Sequence, residues 1–307
     1  MRLALAALLA CSLAACGSTG SGSYTNDVTG TLVVEGTTRE YVIHVPPSYQ
    51  RAHAAPLVLD LHGGVGTPEG IRRITGMDPI ADHNGFIVVY PRGIGGHWND
   101  GRSERLNSEA DVHFISALID KLERDYSIDP KRIDATGISN GGVLAFRLAC
   151  EIDDRIAAVA SVAGSMASAL AARCHPASPV SVIMINGLQD PLVPYGGGMV
   201  GGWTANAGPV LSVAQAIALW TSLDQCSAQP IVRRLADAVP DDGTHTTEAD
   251  YESCRAGSSV ELFTIDGGGH TWPGGPQYLP AFLIGKTSHD FNASETIWQF
   301  FAAHPKA

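Results

Sequence analysis

The sequence predicts an α/β fold with a mostly parallel central sheet, on three observations. Strand-like and helix-like runs alternate along the 307 residues. Several strand-like runs, Pro56–Leu61 and Val180–Asn186 among them, are apolar almost throughout, as strands covered on both faces are. The pentapeptide Gly137-Ile138-Ser139-Asn140-Gly141 stands at a junction between a strand-like and a helix-like run. A Gly-x-Ser-x-Gly in that setting reads as a sharp turn that presents the serine hydroxyl clear of the backbone.

The elements follow in order. Thr31–Glu35 and Arg39–Val45 are strand-like and closely spaced, which predicts an antiparallel hairpin at the start of the domain. Pro56–Leu61 and Phe86–Tyr90 are the next strands. In Ala110–Tyr126 the apolar residues Val112, Ile115, Leu118, Ile119 and Leu122 keep helical spacing. Ile133–Ile138 runs into the serine turn, and Gly142–Cys150 is the helix that leaves it. Ala157–Val162, Val180–Asn186 and Val260–Ile265 are further strands, with helices at Ser212–Leu223 and Ala293–Ala303. No internal repeat and no second domain is evident.

A serine hydroxyl is a weak nucleophile until a base takes its proton. In this kind of turn the partners follow the serine in the order acid, then histidine. Asp190 lies in the turn at the carboxyl end of Val180–Asn186, where catalytic groups collect in parallel sheets. His270 lies on the glycine-rich loop Asp266–Pro273, directly after Val260–Ile265. Its position singles it out from the eleven histidines of the chain. Ser139 is thus the candidate nucleophile, His270 the base and Asp190 the acid that orients the ring. Asp266 is a rival acid, but it stands too near His270 in sequence for the ring to reach it. A histidine base also predicts that activity falls as the pH drops and the ring takes up a proton.

A tetrahedral oxyanion needs backbone donors. His62-Gly63-Gly64 follows the strand Pro56–Leu61, and the Gly64 amide is the first candidate donor. The amide of Asn140, next after the serine, is the second. The sequence contains no CxxC pair, no HExxH run and no paired-histidine spacing, so no metal site is expected, and the triad chemistry itself needs no metal or organic cofactor.

The chain begins with a cation, a short apolar run and Leu13-Ala14-Ala15-Cys16. The apolar run is too short to span a bilayer. It resembles a bacterial lipoprotein signal. The expected organisation is therefore a signal over residues 1–15, a lipidated Cys16 with a Gly/Ser tether over residues 16–23, and a catalytic domain over residues 24–307. Processing as an ordinary signal peptide is the alternative, giving a secreted rather than a cell-envelope protein. Membrane contact is expected only through the lipid. Removal of Arg2 moves the formal charge from −11 to −12, and an acidic surface argues against nucleic acid as a partner. Cys150, Cys174, Cys226 and Cys254 then remain, an even number in an exported chain. Three pairings are possible. Cys150–Cys174 and Cys226–Cys254 are preferred, because each brackets one local segment.

These motifs resemble the α/β-hydrolase esterases grouped as polyhydroxybutyrate-depolymerase-like and feruloyl esterase (carbohydrate esterase family 1) proteins. The matching residues span nearly the whole domain. They are Leu61–Gly64, Tyr90-Pro91, Trp98–Arg102, Asp111-Val112, Ala135–Gly142, Asp190–Tyr195 and Gly267–Gly275. The resemblance gives Ser139, Asp190 and His270 the triad roles already argued. The chain departs from the family pattern at Leu188-Gln189, which reshapes the acid loop without moving the aspartate. Family substrates are hydroxycinnamoyl or acetyl esters of plant polysaccharide, short aryl esters and poly(3-hydroxybutyrate). The expected substrates here are small or oligomeric feruloyl-, acetyl- or aryl-type esters, with the polyester as the alternative. Trp98 and Trp272 are candidate walls of the acyl pocket, since a flat indole suits an aromatic acid. Asp100 and Arg102 are expected to form an ion pair that braces their loop. Competing readings are acyl transfer to a sugar hydroxyl, peptidase activity, and a surface-anchored saccharide-binding lipoprotein without turnover.

Overall fold

The structure is a computed structural model that describes residues 27–102, 110–201 and 208–307. The signal, Cys16 and the Gly/Ser tether lie outside these residues. The strands are β1 (Asp27–Val34), β2 (Thr37–His44), β3 (Ala55–Leu61), β4 (Ile87–Pro91), β5 (Ile128–Ile138), β6 (Ala158–Val162), β7 (Ser181–Gly187), β8 (Gly198–Met199), β9 (Pro209–Val210), β10 (Ile231–Arg234), β11 (His245–Tyr251) and β12 (Val260–Asp266). The helices are α1 (Pro68–Thr75), α2 (Met77–Asn84), α3 (Ala110–Asp125), α4 (Asn140–Glu151), α5 (Ser168–Ala171), α6 (Val213–Leu223), α7 (Ala281–Ile284) and α8 (Ala293–Ala303).

Ten strands form one sheet in the order β1-β2-β4-β3-β5-β6-β7-β12-β11-β10. The segment from β4 to β12 is parallel throughout. Strands β3, β4, β6 and β7 are short apolar runs buried on both faces, whereas β5 has exposed residues near its start and β12 is half-buried. The edges are antiparallel: β1 pairs with β2 and β2 with β4 on one side, β12 with β11 and β11 with β10 on the other. Parallel strands require covering layers, and the helices supply them. Helices α3, α4 and α6 pack their apolar residues on one face, and α1, α2 and α8 pack theirs on the other. The N-terminal hairpin and the α/β class match the sequence reading.

The sequence-based elements missed β10 and β11. In β11 the run His245-Thr-Thr-Glu-Ala-Asp-Tyr carries almost no apolar alternation and is only half-buried. Its hydrogen bonds to β12, rather than its composition, make it a strand. Helices α1 and α2 were missed because each has eight residues, too few for a clear period, and Gly76 separates them in the left-handed region. The disulfides are Cys150–Cys174 and Cys226–Cys254, the pairs preferred from the sequence. Among the described residues no helix is long and apolar enough to cross a membrane.

Candidate active site

The parallel strands end on one edge of the sheet, and the candidate residues gather there. Ser139 sits between β5 and α4 with φ 56° and ψ −120°, a strained conformation for a residue with a side chain. Such strain persists only where the surroundings over-determine it. Here the turn is wedged against β3. A Cβ on Gly141 would stand 2.1 Å from the Leu61 carbonyl oxygen, and one on Gly137 2.5 Å from the same atom. Only glycine at both positions lets the elbow approach β3 so closely. Ser139 also stands at the N-terminus of α4, where the helix dipole and unbonded amides favour negative charge.

Asp190 and His270 meet across the loops after β7 and β12. His270 Nδ1 lies 2.8 Å from Asp190 Oδ2, and both side chains are buried. The other carboxylate oxygen, Oδ1, accepts from the Leu192 and Val193 amides at 2.8 and 2.9 Å. The carboxylate is therefore held from three directions, and the ring orientation follows from it. Tyr278, a residue the motifs did not single out, donates its hydroxyl to the His270 carbonyl at 2.7 Å. Gln189 binds the two loops together: its side-chain Oε1 accepts from the Gly267 backbone amide, and its backbone amide donates to the Gly268 carbonyl. Gln189, within the departure Leu188-Gln189, thus braces the acid loop against the histidine loop. The rival Asp266 is exposed and faces Gln189, away from His270.

Ser139 and His270 share the wall of a cavity of about 170 Å³. Among the described residues no hydrogen bond joins their side chains; such contacts tighten when substrate is bound. The loop His62–Gly66 lines the same cavity, which brings Gly64 to it, and Asn140 opens α4 beside Ser139. The loop is built around the His62 ring. Its Nε2 accepts from the Gly93 amide at 2.9 Å, so Nδ1 carries the proton and donates to the Gly63 carbonyl at 2.7 Å. Burial holds the His62 pKa down at about 4, which keeps the ring neutral.

The Trp98–Arg102 loop braces this side. Trp98 Nε1 donates to the His62 carbonyl at 2.8 Å, and its ring lies 4.7 Å from the His62 ring. The Asn140 side chain accepts from the Trp98 amide and donates to the Trp98 carbonyl and to Asp100. Asp100 and Arg102 form a buried ion pair at 2.7 Å, as the sequence led us to expect. Arg147 donates to the Asn99 carbonyl, and Asp111 accepts from the Asn99 amide while paired with Arg39.

The two tryptophans proposed for the acyl pocket do not line the cavity. Trp98 is buried behind the His62 loop. Trp272 is buried against α8, its Nε1 donating to Ser294 Oγ at 3.0 Å. An indole next to a motif in sequence carries no signal for which side of the loop it faces, and here packing turned both inward. The residues that do line the cavity, Ile71 and Ile74 of α1 and Leu279 and Ile284 near α7, belong to elements with no motif. Elsewhere, Asp27, His44 and Asp78 each bring a ligand atom within 4.8 Å of the others. Arg72 already bonds both carboxylates there, which leaves a cation little charge to neutralise.

No family model matches the chain. It is 34% identical over 283 residues to a putative esterase, NocK, of Nocardia uniformis subsp. tsuyamanensis, covering 88% of this chain and 80% of the relative. The chain belongs to this family of carboxylic ester hydrolases. The esterase is also 27% identical over 308 residues to a probable feruloyl esterase C of Aspergillus clavatus, covering 98% of one and 96% of the other. It is 28% identical to feruloyl esterase B of Piromyces equi, of which it spans 42%. In fold, it matches acetyl xylan esterase from Aspergillus awamori with a TM-score of 0.57 at 15% identity, over 90% of this chain and 99% of that one. A second solved structure, native pOPH, matches with a TM-score of 0.56 at 16% identity, over 94% and 90%. These likenesses agree with an α/β-hydrolase fold.

Proposed function

We propose that the esterase cleaves small or oligomeric acetyl-, aryl- or hydroxycinnamoyl-type esters through a Ser139–His270–Asp190 triad. The observation that carries this reading is the Asp190–His270 pair, which opens onto the same cavity as a serine held on a strained elbow. Ser139 Oγ attacks the ester carbonyl while His270 Nε2 takes its proton. The Gly64 and Asn140 amides receive the developing oxyanion. The C–O bond to the alcohol breaks, and His270 returns the proton to the leaving alkoxide. Water then attacks the acyl-serine with the same histidine as base, releasing the acid and restoring Ser139.

Hydrolysis of 4-nitrophenyl acetate and methyl ferulate by the chain and by Ser139→Ala tests this. The expected loss in kcat is on the order of 10⁶-fold. Retained turnover in the variant would remove Ser139 from the mechanism. The reading extends to export and a lipid anchor on Cys16, supported by the Leu13–Cys16 sequence. Full-length protein expressed in a bacterium should partition into detergent, and Cys16→Ala should shift it to the aqueous phase. Equal partitioning of the two would remove the anchor.

A further inference from the structure

The cavity beside Ser139 is walled mainly by aliphatic side chains, with Tyr278 the one phenol ring on its described wall. Ile71, Ile74, Ile138, Leu192, Leu279 and Ile284 line it. Most polar groups on its described wall already have a partner, which leaves the Tyr278 oxygen as an acceptor and His270 Nε2 facing the cavity. Both His62 nitrogens are bonded to the backbone, Tyr278 donates to the His270 carbonyl, and His270 Nδ1 faces Asp190. Ser139 remains, and it is the candidate nucleophile. A phenolic hydroxyl buried against the aliphatic part of this wall, away from the Tyr278 oxygen, would cost about 1–3 kcal/mol. The volume of about 170 Å³ is also below the ~300–1,000 Å³ of sites for drug-sized ligands. Trp98 and Trp272, the flat faces a hydroxycinnamoyl ring would use, are buried elsewhere.

We propose that this cavity receives the acyl group and selects short aliphatic acids over hydroxycinnamic acids, with Ile74 setting the chain length. The proposal rests on the serine-esterase reading above. A hydrophilic alcohol such as a sugar gains nothing from aliphatic walls, so the alcohol lies on the open side and the acyl chain points inward. Ile74 is placed by its neighbours. Thr75 Oγ1 donates to the buried Asp60 Oδ2 at 2.7 Å, and Ser294 Oγ donates to the Thr75 carbonyl. Trp272 holds Ser294 in turn, so this indole acts on the pocket through α1 rather than by touching substrate. A Cβ on Gly275 would stand 2.7 Å from the Ile74 carbonyl oxygen, so the backbone here has little room to shift. Ile74 is half-buried, and trimming it enlarges the cavity without opening the core.

The test is kcat/KM for 4-nitrophenyl acetate, butyrate, octanoate and ferulate, with one leaving group throughout. The chain should cleave butyrate at least about 10-fold better than ferulate, a ratio within the range one pocket contact provides. Ile74→Ala should raise octanoate relative to butyrate by about 10-fold, and Ile74→Phe should move the optimum towards acetate. Ferulate as the best substrate, or an unchanged chain-length profile in both variants, would overturn the acyl assignment while leaving the serine esterase standing. No turnover of any ester by folded protein would overturn both.

Discussion

The two sides of the candidate site are held by different forces. On the machinery side, the His62–Gly66, Trp98–Arg102, acid and histidine loops are fixed by hydrogen bonds and buried ion pairs to Asn140, Asp100, Arg102, Asp190 and Gln189. On the acyl side, α1 and the Leu279–Ile284 segment present aliphatic side chains, and the hydrogen bonds of Thr75 fix only the end of α1 behind them. Polar bonds are directional and specify one geometry, as chemistry requires. Aliphatic packing tolerates volume-conserving change, so it leaves room for selectivity to vary. Substitutions on the first side should therefore cost rate or stability, and those on the second should redistribute substrates.

The largest break is expected at Asp190. Asp190→Asn keeps the shape but removes the charge that orients His270, and kcat should fall about 10⁴-fold with KM little changed. Steady-state kinetics on a short ester check this; a loss under 10-fold would detach Asp190 from the reaction. Next is Asp100→Ala, which removes the described partner of the buried Arg102 guanidinium and one of the three bonds of the Asn140 side chain. Breaking a buried pair in this way costs about 3–5 kcal/mol, to be read from urea unfolding. A cost below 1 kcal/mol would mean that the loop is not held by its ion pair.

The smallest effect concerns Asp60, the polar anchor of the acyl side. Burial raises its pKa to about 7, although the bond from Thr75 opposes this. Unfolded, the carboxyl titrates near 3.9. Between about pH 4 and 7 the folded protein therefore keeps a proton that the unfolded chain has released, and stability falls as pH rises through that window. The slope from this group is at most about 1.4 kcal/mol per pH unit. Asp134, Asp224 and Glu261 are also raised by burial and act in the same direction. Asp60→Asn should lessen the slope without abolishing it, as melting temperatures from pH 4 to 8 will read. An unchanged slope would show that Asp60 does not titrate in this window.

The parts legible in the sequence were those whose local chemistry is peculiar to their role. Buried parallel strands such as β3 and β7 are written as apolar runs, and the Ser139 turn needs glycines that little else requires. Asp190 was readable because it follows β7, and His270 because its glycine-rich loop follows the alternating run of β12. β11 was not, since its register with β12 depends on a partner chain segment rather than on its own pattern. The acyl wall was not, because the side that Ile74, Tyr278 or Ile284 faces is decided by packing between segments some 200 residues apart, as in the Ser294–Thr75 bond with its separation of 219. The same cause misdirected Trp98 and Trp272: their neighbours in sequence are site residues, but their neighbours in space are core.

The most direct test of the serine mechanism is peptide mapping after reaction with a fluorophosphonate. The account predicts a single adduct on Ser139, lost in Ser139→Ala together with ester hydrolysis. An adduct on another serine, or hydrolysis that persists in Ser139→Ala, would contradict it.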